Sequence, residues 1–206
     1  MAAFPVGVFV VASADHKKIL QRIAMVLLAF ASGGAVAPYT ELSAEACIPD
    51  EVIQAGPDPA QQVLTAYLSR RFMIASEATE LMVETAHRAA DEVGLDPLLV
   101  LAVIAVESRF NPIAESVMGA KGLMQIIPRY HRAKLAPLGG DEAVLDPQSN
   151  ILVGARILQE YVYRTGTLEA GLQYYNGAGR DSSAQYAHKV MAERSRLEQV
   201  LRGGGV

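Results

Sequence analysis

The chain has 206 residues, room for one ordinary domain and appendages, and its 51% hydrophobic and 19% charged residues exclude disorder and allow a sizeable core. A net charge of −4 gives no basic field for nucleic acid. The single cysteine, Cys47, excludes an internal disulfide framework, and four scattered histidines offer no zinc spacing, so neither metal nor cofactor is expected.

At the amino end, His16-Lys17-Lys18 and Arg22 precede an apolar run from Ile23 to Ala31 that passes into small residues up to Ala37. A basic patch, an apolar stretch and small residues make the layout of a secretory signal. Ala44-Glu45-Ala46, directly before Cys47, offers a small-x-small cut; Ala35-Val36-Ala37 offers another, but the ring of Pro38 hinders a peptidase there. Residues 1–46 are thus a signal or anchor segment, and the protein is expected to be exported. Anchoring is the alternative, because residues 23–40 carry no charge, although Ser, Gly and Pro dilute the run below the roughly 20 strongly apolar residues of a spanning helix. Acylation of Cys47 is a second route to the membrane, with Glu45 departing from the small uncharged residue of a lipoprotein box.

Residues 47–76 carry turn chemistry in Ile48-Pro49-Asp50 and Gly56-Pro57-Asp58-Pro59, and read as a linker with a short helix through Gln61–Phe72. From there to residue 202 the signals are helical. Abundant alanine, short β-branched runs and no sustained strand-like alternation predict an all-α domain with little or no sheet. Ser76 with Glu80 opens a helix through Leu81, Val83, Ala86 and Ala90 that Gly94 closes. Asp96-Pro97 caps the next, followed by nine apolar residues, Leu98 to Val106, and then Glu107-Ser108-Arg109. A helix apolar on every side belongs in the middle of a bundle, so its last turn delivers Glu107 from a buried rod.

A carboxyl group beside apolar walls, at the helix end where partial negative charge accumulates, has its protonated form favoured. It is then suited to donate a proton near neutral pH. Local context alone leaves a plain helix end, or a pairing with Arg109, equally open.

The following segment carries a resemblance. Glu107-Ser108, Asn111-Pro112, Ser116, Gly119-Ala120 and Gly122-Leu123-Met124-Gln125-Ile126 closely resemble the signature of the SLT-type, family 1 lytic transglycosylases, which cleave peptidoglycan on a helical domain like goose-type lysozyme. Asp146-Pro147-Gln148-Ser149-Asn150-Ile151 resembles the family's buttressing helix. Tyr174-Tyr175-Asn176-Gly177-Ala178-Gly179 resembles its Tyr-Asn-Ala-Gly turn, with Tyr174 and Gly177 where alanine is usual. Tyr186-Ala187-His188-Lys189-Val190 is similar to its closing element, so the likeness runs over about residues 77–192 of a catalytic domain placed at 77–202.

The resemblance implies a lysozyme-like fold and a lyase of the bacterial cell wall, periplasmic once exported. It implies that Glu107 is the lone acid/base, cleaving the bond between N-acetylmuramic acid and N-acetylglucosamine with closure to a 1,6-anhydro sugar. Ser116, Met124, Gln125, Tyr175, Asn176 and Tyr186 become substrate-binding residues: Ser116 near the acid, Met124 against a sugar face, Gln125 in the cleft, Tyr175 reaching toward Glu107, Asn176 in the turn and Tyr186 as a cleft wall. Glu115 and Asp146 are the second carboxylates of a two-carboxylate hydrolase, but read better as a solvated loop charge and a helix cap. Tyr161 and Tyr163 read as packing, and the basic stretch from Pro128 to Gly140 as a solvated loop. The expected partner is the peptidoglycan strand, met as a monomer without nucleic acid, with secretion or conjugation machinery a further candidate. A lysozyme-like hydrolase and a non-catalytic wall-binding component of a secretion machine are the competing readings.

Overall fold

The structure, a computed structural model, describes residues 58–179 and 183–203. The expected signal or anchor segment and Cys47 lie outside the described residues. Among the described residues seven α-helices follow in order: α1 Pro59–Phe72, α2 Ser76–Val93, α3 Pro97–Glu107, α4 Pro128–Leu135, α5 Pro147–Thr165, α6 Leu168–Tyr175 and α7 Gln185–Leu201. Two 3₁₀ turns, Ala136–Leu138 and Gly140–Leu145, join α4 to α5. The fold is helical as expected, and the β features among the described residues are isolated bridges, Glu115 with Lys121 and Lys121 with Ile126.

Local chemistry sets most of the helix starts. Asp58, Asp96, Asp146 and Thr167 each accept a hydrogen bond from a first-turn amide, at 3.0, 2.9, 2.8 and 3.2 Å, and proline follows the three aspartates. α2 departs from expectation, because Ser76 is its first helical residue and Ala75 at the cap offers no side-chain bond. α7 starts at Ala184 in the left-handed region, again without its own cap, and the amide of Ala187 donates instead to Gln173 Oε1 of α6 at 3.0 Å.

Helix α3 is the centre: every residue from Leu99 to Ala105 is buried. It packs against α2 and α7, while α5 lies on α2 and carries α6. The short helix expected through Gln61–Phe72 is α1, whose Leu64 and Leu68 are fully buried in the same core. Its end is fixed by rings as well, with Phe72 stacked at 5.1 Å on Phe110. Among the described residues, no helix is long and apolar enough to cross a membrane.

Candidate active site

Glu107 is the last residue of α3. The chain cannot run on as helix, because Arg109 and Phe110 both adopt left-handed backbone, at φ of 54° and 63°. Two consecutive side-chain-bearing residues in that region cost energy, and burial of Phe110 against Phe72 holds the turn. The carboxyl group therefore stands at a fixed corner.

The loop beyond is tied at both ends. Ser116 and Ala120 exchange backbone hydrogen bonding with a side-chain contact: the Ser116 amide donates to the Ala120 carbonyl at 2.9 Å, and the Ala120 amide donates to Ser116 Oγ at 3.1 Å. Asn150 of α5 is fully buried; its Oδ1 accepts from the Met124 amide at 2.7 Å, and its Nδ2 donates to the carbonyls of Lys121 and Val144 at 3.0 and 2.7 Å. This close approach requires a glycine at 122, where a Cβ would stand 2.3 Å from Asn150 Nδ2 and 2.7 Å from the Val144 carbonyl, at a φ of +76°. Gln125, itself at φ 49°, spends both amide hydrogens on the carbonyls of Ala114 and Gly122, at 3.1 and 3.0 Å.

Between this loop and helices α4 to α6 lies a cavity of about 860 Å³. Glu107, Ser116, Gln125 and Ile126 line one side, and Ile157, Tyr161, Tyr174, Tyr175 and the turn from Asn176 to Gly179 line another, with Tyr130 and His131 contributed by α4. Among the described residues, Glu107 is the one carboxylate in the lining. Burial pushes its pKa above the ordinary carboxylate range, and a 2.6 Å hydrogen bond from the Tyr186 hydroxyl to Glu107 Oε1 works more weakly in the opposite direction. Tyr175 and Tyr186 are both driven well above the usual phenol range, first by burial and then by the charge of Glu107, so both stay neutral donors.

Of the expected site residues, the structure brings Glu107, Ser116, Gln125, Tyr175 and Asn176 together on this cavity. Met124 is not on a sugar-facing surface: it is fully buried, with its sulfur packed so closely on α5 that a Cβ on Gly154 would lie 2.4 Å away. Tyr186 is not a wall either, being 7% exposed and bonded to the acid. Tyr175 does not spend its hydroxyl on Glu107 but donates it to the Met124 carbonyl at 2.8 Å. Asp146 is the cap of α5, and Glu115 is an exposed loop charge 3.3 Å from Lys121; neither lines the cavity.

Three polar or aromatic lining residues, Tyr161, Tyr130 and His131, escaped the sequence reading. Tyr161, expected to pack, lies edge-on to Tyr174 and Tyr175 at 4.9 and 6.3 Å between centroids, and the Arg164 guanidinium covers Tyr161 and Tyr174 at 5.1 and 4.4 Å. Tyr130 and His131 come from the stretch expected to be a loop, which is α4 and a 3₁₀ turn. His131 breaks α4 locally (φ −127°, ψ 21°), and burial, with Lys134 beside it, lowers its proton affinity. A proline opening a polar, aromatic Arg-Tyr-His segment was the available signal. Among the described residues, no group of three or more His, Cys, Asp or Glu is placed to hold a metal.

A buried acid at the end of a central helix, among the described residues the one carboxylate facing tyrosines and a pinned polar loop, defines a helical cleft domain. The profile of the transglycosylase SLT domain matches residues 84–195, more than half of the chain, and the chain belongs to that family. It is 37% identical over 113 residues to the transglycosylase of Enterobacteria phage PRD1, covering 52% of this chain and 41% of that protein. It is 33% identical over 135 residues to membrane-bound lytic murein transglycosylase C of Mannheimia succiniciproducens, covering 56% and 38%. With the soluble lytic murein transglycosylase of Escherichia coli it shares 36% over 88 residues, 39% of this chain and 14% of that one. The chain thus spans less than half of the length of these relatives. Among solved structures, an inactive mutant of lytic transglycosylase Slt from Pseudomonas aeruginosa matches 58% of this chain and 24% of its own, with a TM-score of 0.52 and 21% identity, a likeness of fold.

Proposed function

We propose that the protein is a peptidoglycan lytic transglycosylase in which Glu107 is the acid and then the base. The observation that carries this reading is the isolation of Glu107: among the described residues it is the one carboxylate lining the cavity, and burial keeps it protonated to higher pH than an ordinary glutamate. Its proton passes to the bridging oxygen between N-acetylmuramic acid and N-acetylglucosamine as the C1–O bond breaks with its electron pair on that oxygen. The 6-hydroxyl of the same muramic acid then bonds to C1 and returns a proton to the carboxylate, so the sugar closes to its 1,6-anhydro form. No second protein carboxylate is needed, because the substrate supplies the nucleophile.

In this reading Ser116, Gln125, Tyr175 and Asn176 contact the glycan, joined by Tyr130, His131, Tyr161 and Tyr174 of the cavity lining. Tyr186 holds Glu107, and Met124 acts from the core by its carbonyl on Tyr175. Neutral tyrosines suit a sugar, offering ring faces to its apolar patches and hydroxyls to its own.

Mass spectrometry of sacculi digested by the purified protein tests the chemistry. Anhydro-ended muropeptides support it; products carrying a reducing end and one added water assign a hydrolase instead. Binding to sacculi without any cleavage assigns a wall-binding component.

The same proposal places the protein outside the cytoplasm, with residues 1–46 as signal or anchor and, if acylated, Cys47 as a tether. The basic and apolar pattern of the sequence supports this, and an N-terminal sequence or mass of the protein recovered from cells decides between cutting, lipidation and anchoring. We also propose that it works as a monomer that opens the wall locally for an envelope-crossing apparatus, a reading supported by the likeness to a phage transglycosylase.

A further inference from the structure

Glu193 on α7 is a buried carboxylate outside the cavity, 6% exposed. The guanidinium of Arg71, near the end of α1, grips it with both terminal nitrogens, Nη1 on Oε1 and Nη2 on Oε2, the latter at 3.0 Å. Arg196 adds a bond to Oε2 at 2.6 Å, and Tyr67 accepts from Arg71 at 3.0 Å. Taking such a pair out of water costs about as much as its attraction returns, so net stability is a poor reason for it to exist. Its best-attested use is to fix the register of one element on another.

The geometry of α7 says which register matters. Tyr186 and Glu193 are seven residues apart, which is two turns, so they share one face of the helix about 10 Å apart along its axis. One end of that face holds the Glu107 carboxyl through the Tyr186 hydroxyl; the other is locked to α1. Between and beyond them, Val190, Leu197 and Val200 make buried apolar contacts, which have no preferred direction. A 2.6 Å hydrogen bond tolerates little rotation or sliding, whereas the two-pronged ion pair has a defined angle. The next residue of α1, Phe72, stacks on Phe110, three positions beyond Glu107, so the end of α1 meets both structures that place the acid. Helix α1 lies before the residues matched by the family profile, 84–195.

We propose that Glu193 is a positioning residue for the reaction: locked to Arg71, it sets the register of α7 so that the Tyr186 hydroxyl meets Glu107. The inference rests on the reading of Glu107 as the acid. The titratable groups that face Glu107 are Tyr186 from α7 and Tyr175 from α6, and those that face Glu193 are Arg71 and Arg196.

A double-mutant cycle on the full chain tests it, with Glu193→Gln, Tyr186→Phe and the two combined. One readout is the titration of the Glu107 side-chain carboxyl by carbon NMR, without substrate; the other is kcat and KM on soluble, uncrosslinked glycan strands. Loss of the Tyr186 bond removes what lowers the pKa of Glu107, so both single variants move that pKa upward, and the combined variant moves it no further than Tyr186→Phe. Each lowers kcat about tenfold with KM within about twofold of wild type, again without addition in the double variant. A Glu107 titration and a kcat that stay at wild type in Glu193→Gln overturn the proposal, as do effects that multiply in the double variant. Should Glu193→Gln not fold by circular dichroism, Arg71→Lys keeps a paired charge without the fork and is read by the same criteria. Because the titration needs no substrate, it stands apart from the fate of the assigned chemistry, whose failure shows as full activity in Glu107→Gln.

Discussion

On the acid's side of the cavity, the polar groups that shape the backbone have partners. Asn150 makes three hydrogen bonds to the loop and the preceding turn, Gln125 two, and Tyr186 one to the acid itself. Across from it, rings stand in solvent: Tyr130 is 67% and Tyr174 is 45% exposed, each covered by a guanidinium, from Arg129 at 4.8 Å and from Arg164 at 4.4 Å. Under the proposed function, the difference follows from what each side must do. Proton transfer needs a donor held within tenths of an ångström, whereas gripping a polymer needs broad, shallow, forgiving surface. The first task favours buried hydrogen bonds that cannot be exchanged for water, and the second favours amphipathic rings on the rim.

If that contrast is right, the largest loss comes from the acid. Glu107→Gln keeps the shape and can still accept from Tyr186, but has no proton to give, and the rate on sacculi falls by about a thousandfold or more. Sacculus turbidity measured over hours is the check, and wild-type clearing by the variant refutes the assignment. Next comes the pinned loop. In Gly122→Ala the new methyl meets Asn150 Nδ2 at 2.3 Å and sits at a positive φ, so the variant loses about 2–3 kcal/mol of stability, read as a fall of several degrees in Tm. An unchanged melting curve would show that the loop is free to move.

A smaller effect separates function from stability at the acid. The folded-state pKa of Glu107 is raised, so the native protein binds its proton more tightly than the unfolded chain does. Between the ordinary glutamate value and the raised one, stability therefore falls as pH increases, and above it the buried charge costs stability in full. Glu107→Gln removes that cost. The variant melts higher than wild type at pH 8, by about 1 kcal/mol, and the gap closes at pH 4, where both side chains are uncharged. Calorimetry at the two pH values decides it; a gap that widens in acid has the wrong sign.

How much of this was legible depends on whether the determinant is local. Helix α3 was plain, because Asp96-Pro97 and nine apolar residues sit side by side in sequence. The start of α7 was not, since its amide is capped by Gln173 of another helix. Nor was the place of α1 in the core: Gln61, Gln62, Ser69, Arg70 and Arg71 interrupt its apolar pattern, and part of what holds it is Glu193, 122 positions away from Arg71. In the site, the motif named the right neighbourhood but not the direction of each side chain. Met124 and Gln125 are adjacent, yet the left-handed backbone at Gln125 turns it to the cavity lining while Met124 is buried. Tyr161 shows the same limit, because a helical spacing that buries a ring in a core also lines a groove.

The smallest expected effect lies on the exposed wall, and it separates holding from catalysing. Tyr130 on α4 and Tyr174 on α6 are each replaced by alanine in the Glu107→Gln background, where substrate binds without turning over. Each ring that stacks on a sugar removes apolar area from water worth about 1 kcal/mol, so each variant binds soluble glycan strands roughly fivefold more weakly in calorimetry. Put back beside an intact Glu107, the same substitutions raise KM by a similar factor and leave kcat near wild type, because neither ring touches the acid's hydrogen bond. A fall in kcat with unchanged binding would move these tyrosines to the catalytic side, and the division between a rigid acid and a forgiving wall would go with them.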